Sequence, residues 1–140
     1  MPPDFLTIYT KYKIMHRISH ERISPEQAHH WITTRQPLEL SIGATQSIVA
    51  CRKYLERRMA DSDQLLYGIN TGFGSLCNIR ISHDETEQLQ HNLVKSHACG
   101  AGEEVPAEIV RAMLFLKIRN MAYGHSGVCL EFVQRLIDLY

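Results

Sequence analysis

Pro106-Ala-Glu-Ile-Val-Arg-Ala-Met-Leu-Phe-Leu-Lys-Ile-Arg-Asn-Met-Ala122 is the stretch that decides the fold class. Pro106 stands where a long helix starts, and Ile109, Val110, Met113, Leu114, Leu116, Ile118 and Met121 make that helix apolar nearly all round. A helix of that kind belongs in the middle of a bundle. The expectation is a mainly α protein with short extended segments near its N-terminus. Gly124-His125-Ser126-Gly127 breaks the helix, and Val128 to Tyr140 restarts one through Leu130, Val133, Leu136, Ile137 and Tyr140. The sequence stops there without the Gly, Asn or Pro that usually ends a helix. It therefore reads as part of something longer.

Upstream, Ser82-His83-Asp84-Glu85 is a capping box that opens a helix carrying Leu89, Leu93 and His97 on one face, and Gly100-Ala-Gly102 ends it. Ser41 opens an earlier helix through Ile48, Cys51, Leu55 and Met59, with Arg57 and Arg58 suited to its C-terminal dipole. Ser24-Pro25-Glu26-Gln27 begins a short helix reaching about Thr34, because serine caps, proline is preorganised at the first position and Gln27 closes the box. Pro37 ends it, and Leu38-Glu39-Leu40 is a brief extended link. Phe5 to Ile14 reads as a short extended segment or an irregular arm.

The chain has 140 residues, 44% hydrophobic and 21% charged, with 15 basic and 15 acidic side chains. That balance suits one globular domain and gives no electrostatic footprint for nucleic acid or an anionic membrane. Its apolar runs fall short of the ~20 residues of a membrane helix. Met1-Pro-Pro-Asp4 lacks the pattern of a secretory signal, so the expected compartment is the cytoplasm. Cys51, Cys77, Cys99 and Cys129 are too widely spaced for a zinc or redox pair and read as reduced, mostly buried thiols. His16 and His20 have the spacing of a helical ligand pair, but no helix signal surrounds them and no metal is expected.

Tyr67-Gly-Ile-Asn-Thr-Gly-Phe-Gly74 is a loop with unusual backbone angles. It matches neither GxGxxG nor a P-loop. One reading is a tight glycine-rich connection. The other is a loop that closes over a ligand and carries the Tyr67 phenol as an acid/base group, which near neutral pH needs a cationic or dipolar neighbour. His97 has two readings as well, a core histidine or a hydrogen-bonding group aimed from its helix into a pocket.

These residues together carry a resemblance. Tyr67 to Gly74, then Leu89-Gln-His-Asn-Leu-Val-Lys-Ser-His97 with Gly100-Ala-Gly102, then Arg119-Asn-Met-Ala-Tyr-Gly-His-Ser-Gly127, resemble the aromatic amino acid ammonia-lyases in order and spacing over about residues 38 to 140. The histidine ammonia-lyases are the closest branch. The resemblance implies the N-terminal helical region of the fumarase/aspartase-like fold. Residues 1–37 would form an arm and first short helix, and 38–140 the lid loop and helical region. It further implies elimination of ammonia from L-histidine to give trans-urocanate, with histidine as partner in a homotetramer.

By the same resemblance Tyr67 is the base that removes the β-proton, and Gly68, Asn70, Thr71, Gly72, Phe73 and Gly74 shape the lid. His97 lines the substrate pocket with Asn92 and Leu93 as neighbours, while Arg119, His125 and Ser126 are structural. A histidine at position 97 resembles histidine and tyrosine lyases, so a tyrosine ammonia-lyase or aminomutase is the alternative within the class. A non-catalytic helical binding module is the alternative outside it. The family's electrophile, 4-methylidene-imidazol-5-one, forms from an Ala-Ser-Gly tripeptide, and this sequence departs from the pattern in having none. The 140 residues are accordingly expected to be inactive by themselves.

Overall fold

The computed structural model describes residues 15–61 and 64–140; the segment Phe5 to Ile14 lies outside them. The described chain divides into two compact units. One takes the residues up to Arg57 together with Val105–Tyr140, and the other is Arg58–Glu104.

The first unit begins with β1 (His16–Ile18), followed by α1 (Pro25–Thr34) and β2 (Leu38–Leu40). The strands pair in parallel with His16 opposite Leu38, Arg17 opposite Glu39 and Ile18 opposite Leu40. Parallel strands need a crossover, and α1 provides it. Side chains alternate along β1, so His16 and Ile18 are buried while Arg17 points out to Glu39 in an exposed ion pair that contributes little. The cap of α1 is as its sequence dictates. Gln27 N–H donates to Ser24 Oγ at 3.2 Å and Ser24 N–H to Gln27 Oε1 at 3.0 Å.

Next, α2 (Ile42–Asp61) starts at Ser41, whose hydroxyl oxygen accepts from Ala44 N–H. In the second unit a single 3-10 turn, Gly74–Leu76, precedes α3 (His83–His97). The first unit resumes with α4 (Ala107–Ala122) and α5 (Leu130–Leu139). Its core gathers Ile18, Leu38, Ala44, Ile48, Phe115, Ile118, Met121, Ala122 and Val133. Trp31 meets Phe115 edge to face at 6.0 Å. Gly124 at φ 71° lets the end of α4 lie against α2, since a Cβ there would stand 2.5 Å from the Ser47 carbonyl oxygen.

Two expectations change. α4 is not covered all round: Phe115, Ile118, Met121 and Ala122 face the core, whereas Met113 is 64% and Leu116 60% exposed, with Ile109 and Val110 exposed beside them. The described neighbours of α4, chiefly α1 and α5, reach one side of it. The cysteines are not mostly buried: Cys51, Cys77 and Cys129 are half-buried, and Cys99 is exposed because it lies beyond the end of α3. His16 and His20 do not face each other as a pair. The His16 ring stacks on Trp31 at 4.5 Å, and His20 Nε2 bonds the Ala122 carbonyl at 3.0 Å.

Candidate functional site

The second unit holds the glycine loop and α3. The loop is built from its own polar groups. Asn70 Oδ1 accepts from Leu66 N–H at 2.7 Å, and Asn70 Nδ2 donates to the Gln64 carbonyl at 3.0 Å. Asparagine commonly closes turns in this way. Thr71 is 1% exposed; its hydroxyl accepts from Gly68 N–H at 3.3 Å and donates to the Gly72 carbonyl at 3.0 Å. An antiparallel bridge joins Thr71 to Arg80, flanked by Gly72 N–H to the Ile79 carbonyl and Ile81 N–H to the Asn70 carbonyl.

Gly68 and Gly74 have φ of 71° and 58°, the left-handed region that the sequence pattern calls for. Gly72 is needed for space instead, since a Cβ there would stand 2.6 Å from Leu76 Cβ. On this frame Tyr67 is 65% exposed, with its ring edge to face against Phe73 at 5.9 Å. The scaffold is thus internally bonded while its phenol stands at the surface.

The capping box of α3 forms between Ser82 and Glu85, with Glu85 N–H donating to Ser82 Oγ and Ser82 N–H to Glu85 Oε2, each at 3.3 Å. The Ser82 hydroxyl and backbone bonds hold the Glu85 carboxyl below the usual carboxylate range. Leu89 and Leu93 are half-buried and His97 is exposed, so the core reading of His97 does not hold within the described residues. His97 Nδ1 lies 2.9 Å from the Leu93 carbonyl oxygen and 3.0 Å from Ser96 Oγ. Asn92 Oδ1 accepts from Gln88 Nε2 at 2.8 Å, one turn back.

Among the described residues, the loop group (Tyr67, Gly68, Asn70, Thr71, Gly72, Phe73, Gly74) and the helix group (Asn92, Leu93, His97) share no hydrogen bond or ring contact. Two supporting residues escaped the sequence reading as partners, Ser96 and Gln88. The i,i+4 spacing of Gln88 and Asn92 carried the signal for the second. Arg119 is buried in the first unit and its Nη2 donates to the Glu21 carbonyl at 2.8 Å, a packing role. Ser126-Gly127 belongs to the turn between α4 and α5. Gly127 at φ 69° is pressed against Leu55, and its carbonyl accepts from Arg52. A hollow of about 600 Å³ lies elsewhere in the first unit, lined by Leu38, Leu40, Leu130 and Arg135 among others. None of the candidate residues faces it.

A family model described as aromatic amino acid lyase matches residues 23–140. Among curated relatives, the histidine ammonia-lyase of Deinococcus radiodurans is 44% identical over 74% of this chain and 20% of its own length. That of Legionella pneumophila is 50% identical over 60% of this chain and 17% of its own. The chain therefore spans about a fifth of the length of these relatives. The crystal structure of a histidine ammonia-lyase from Trypanosoma cruzi superposes with TM-score 0.75 and 31% identity, covering 89% of this chain and 23% of that one.

Proposed function

The chain belongs to the aromatic amino acid lyase family, and from that premise we propose that it is the N-terminal part of a histidine ammonia-lyase. The complete enzyme eliminates ammonia from L-histidine to give trans-urocanate, as a cytoplasmic homotetramer. One observation carries this reading: the curated relatives at 38–50% identity bear the histidine ammonia-lyase name.

In this reading Tyr67 is the catalytic residue of the segment. The β-proton of histidine is weakly acidic, so a base must be held within about 3 Å of it while the amine leaves. Tyr67 Oη takes that proton, and the loop of Gly68, Asn70, Thr71, Gly72, Phe73 and Gly74 brings it in and excludes water on closing. The exposed phenol on an internally bonded loop is consistent with a group that finds its working surroundings on closure. His97 faces the substrate ring, with Leu93 and Asn92 beside it.

The family's 4-methylidene-imidazol-5-one electrophile has no source in these residues. There is no Ala-Ser-Gly, and His125-Ser126-Gly127 is committed to a packed turn. No step of this segment runs through that group, and the 140 residues by themselves are proposed to be inactive.

The test is a competition of histidine against tyrosine on the complete chain. Release of trans-urocanate with histidine preferred supports the assignment, and preference for tyrosine moves it to the tyrosine lyases or aminomutases.

A further inference from the structure

Of the two edges of β2, one is paired and one is open. His16 N–H donates to the Pro37 carbonyl at 2.9 Å and Ser41 N–H to the Ile18 carbonyl at 2.8 Å, the outer bonds of the parallel ladder. With His16 opposite Leu38 and Ile18 opposite Leu40, this pattern turns the N–H and C=O of Glu39 toward β1 and those of Leu38 and Leu40 away from it. Among the described residues no hydrogen bond reaches the backbone of Leu38 or Leu40. Folded proteins pair or cover such an edge. The hollow of about 600 Å³ lies along the same strand. Leu38 and Leu40 border it, as do Leu130, Glu131, Gln134 and Asp138 of α5, and no described residue of β1 does. It is a slot between an open strand edge and a helix, with leucines from both elements.

We propose, on the reading that these residues are the N-terminal part of a longer lyase, that the slot receives an extended segment of the complete chain beyond Tyr140, which adds to β2 as a third strand. Its backbone bonds Leu38 and Leu40, and its apolar side chains lie on the leucines. Glu39 is held by Arg17, which leaves Glu131 and Asp138 against one cation, Arg135, so the segment carries Lys or Arg at the slot. The occupant is the chain itself because these residues span about a fifth of the length of their relatives. The rest of the polypeptide is thereby tethered beside the slot at high effective concentration. A second copy fits less well, since it brings the same excess of carboxylates to the contact.

The first arm of the test is hydrogen exchange of the complete chain, read residue by residue. The Leu38 and Leu40 amides are expected to be as protected as the Glu39 amide, which β1 already holds. Free exchange at Leu38 and Leu40 beside a protected Glu39 overturns the proposal. The second arm identifies the occupant by photolysing a benzophenone carried on Gln134→Cys in the complete chain. The peptide captured by position 134 is expected to come from beyond Tyr140, in a product that keeps the mass of one chain on a denaturing gel. A product of two chains seats a second copy, and capture confined to residues 1–140 leaves out the proposed strand; either result overturns the proposal.

Leu40→Pro removes an N–H that β1 does not use and a third strand needs. It is expected to abolish the capture while the Glu39 amide stays protected, and Leu40→Ala, which keeps the N–H, is expected to retain it. Capture that survives Leu40→Pro overturns the proposal. Where Leu40→Pro fails to fold, exchange at Leu38 and Leu40 in the unaltered chain still decides. Histidine turnover, assayed on the same complete chain, reports on the histidine ammonia-lyase assignment separately.

Discussion

The imidazole of His16 lies flat on the indole of Trp31, 4.5 Å between centroids and 13° between planes, which ties β1 to α1 through two rings. His30 approaches the same imidazole edge on at 6.3 Å. Burial lowers the pKa of His16 below 6.5, and the neighbouring His30 lowers it further. The unfolded chain thus binds a proton at His16 at a higher pH than the folded chain. Stability rises with pH wherever the unfolded state holds more protons. The contribution of neutral His16 is complete above pH 6.5 and is lost as pH falls below it.

Urea unfolding followed by emission of Trp31, the single tryptophan, is expected to show a falling midpoint from pH 7 toward pH 5. His16→Phe keeps a stacked ring and flattens that fall. An equal slope in the variant would assign the pH dependence to other groups.

Capping of α3 is the second expectation. Ser82→Ala removes the acceptor for Glu85 N–H and the hydroxyl bonded to the Glu85 carboxylate. Loss of such a cap costs about 1 kcal/mol. Amide exchange should speed up first at residues 83–87, with the first unit unaffected.

Two glycines should respond in opposite directions. Gly124→Ala forces a Cβ to 2.5 Å from the Ser47 carbonyl oxygen at φ 71°. The left-handed backbone costs an alanine about 1–2 kcal/mol before the clash is added. Gly43→Ala places a methyl in open space on α2, and helix propensity favours it by up to about 1 kcal/mol. Thermal denaturation of the two variants checks both signs.

In the complete lyase chain, Tyr67→Phe keeps the ring that rests against Phe73 and removes only the hydroxyl. Turnover is expected to fall by at least about 100-fold, within the range for a general base, while KM changes little. Near-normal turnover would take Tyr67 out of the base role.

Local signals were the legible ones. Both capping boxes, at Ser24 and Ser82, are complete within four residues, and the structure forms both. The positive φ of Gly68 and Gly74 follows from glycine spacing around an aromatic. What escaped the sequence depends on partners far along the chain. β1 has three residues and exists through its pairing with β2, twenty-odd positions away. The burial of α4 was overestimated because hydrophobic spacing reports what a face is able to bury, not what covers it. Within the candidate site, the glycine loop and α3 were legible through their motifs, whereas the bonds of Ser96 and Leu93 to His97 required coordinates.

The most direct measurement of the central claim is the intact mass and peptide map of the protein from its native source. The account predicts a chain several times heavier than 16.1 kDa, with a downstream Ala-Ser-Gly peptide lighter by two waters, one lost on ring closure and one from the serine side chain. A native mass of 16.1 kDa would contradict it and leave a helical binding module in place of a lyase.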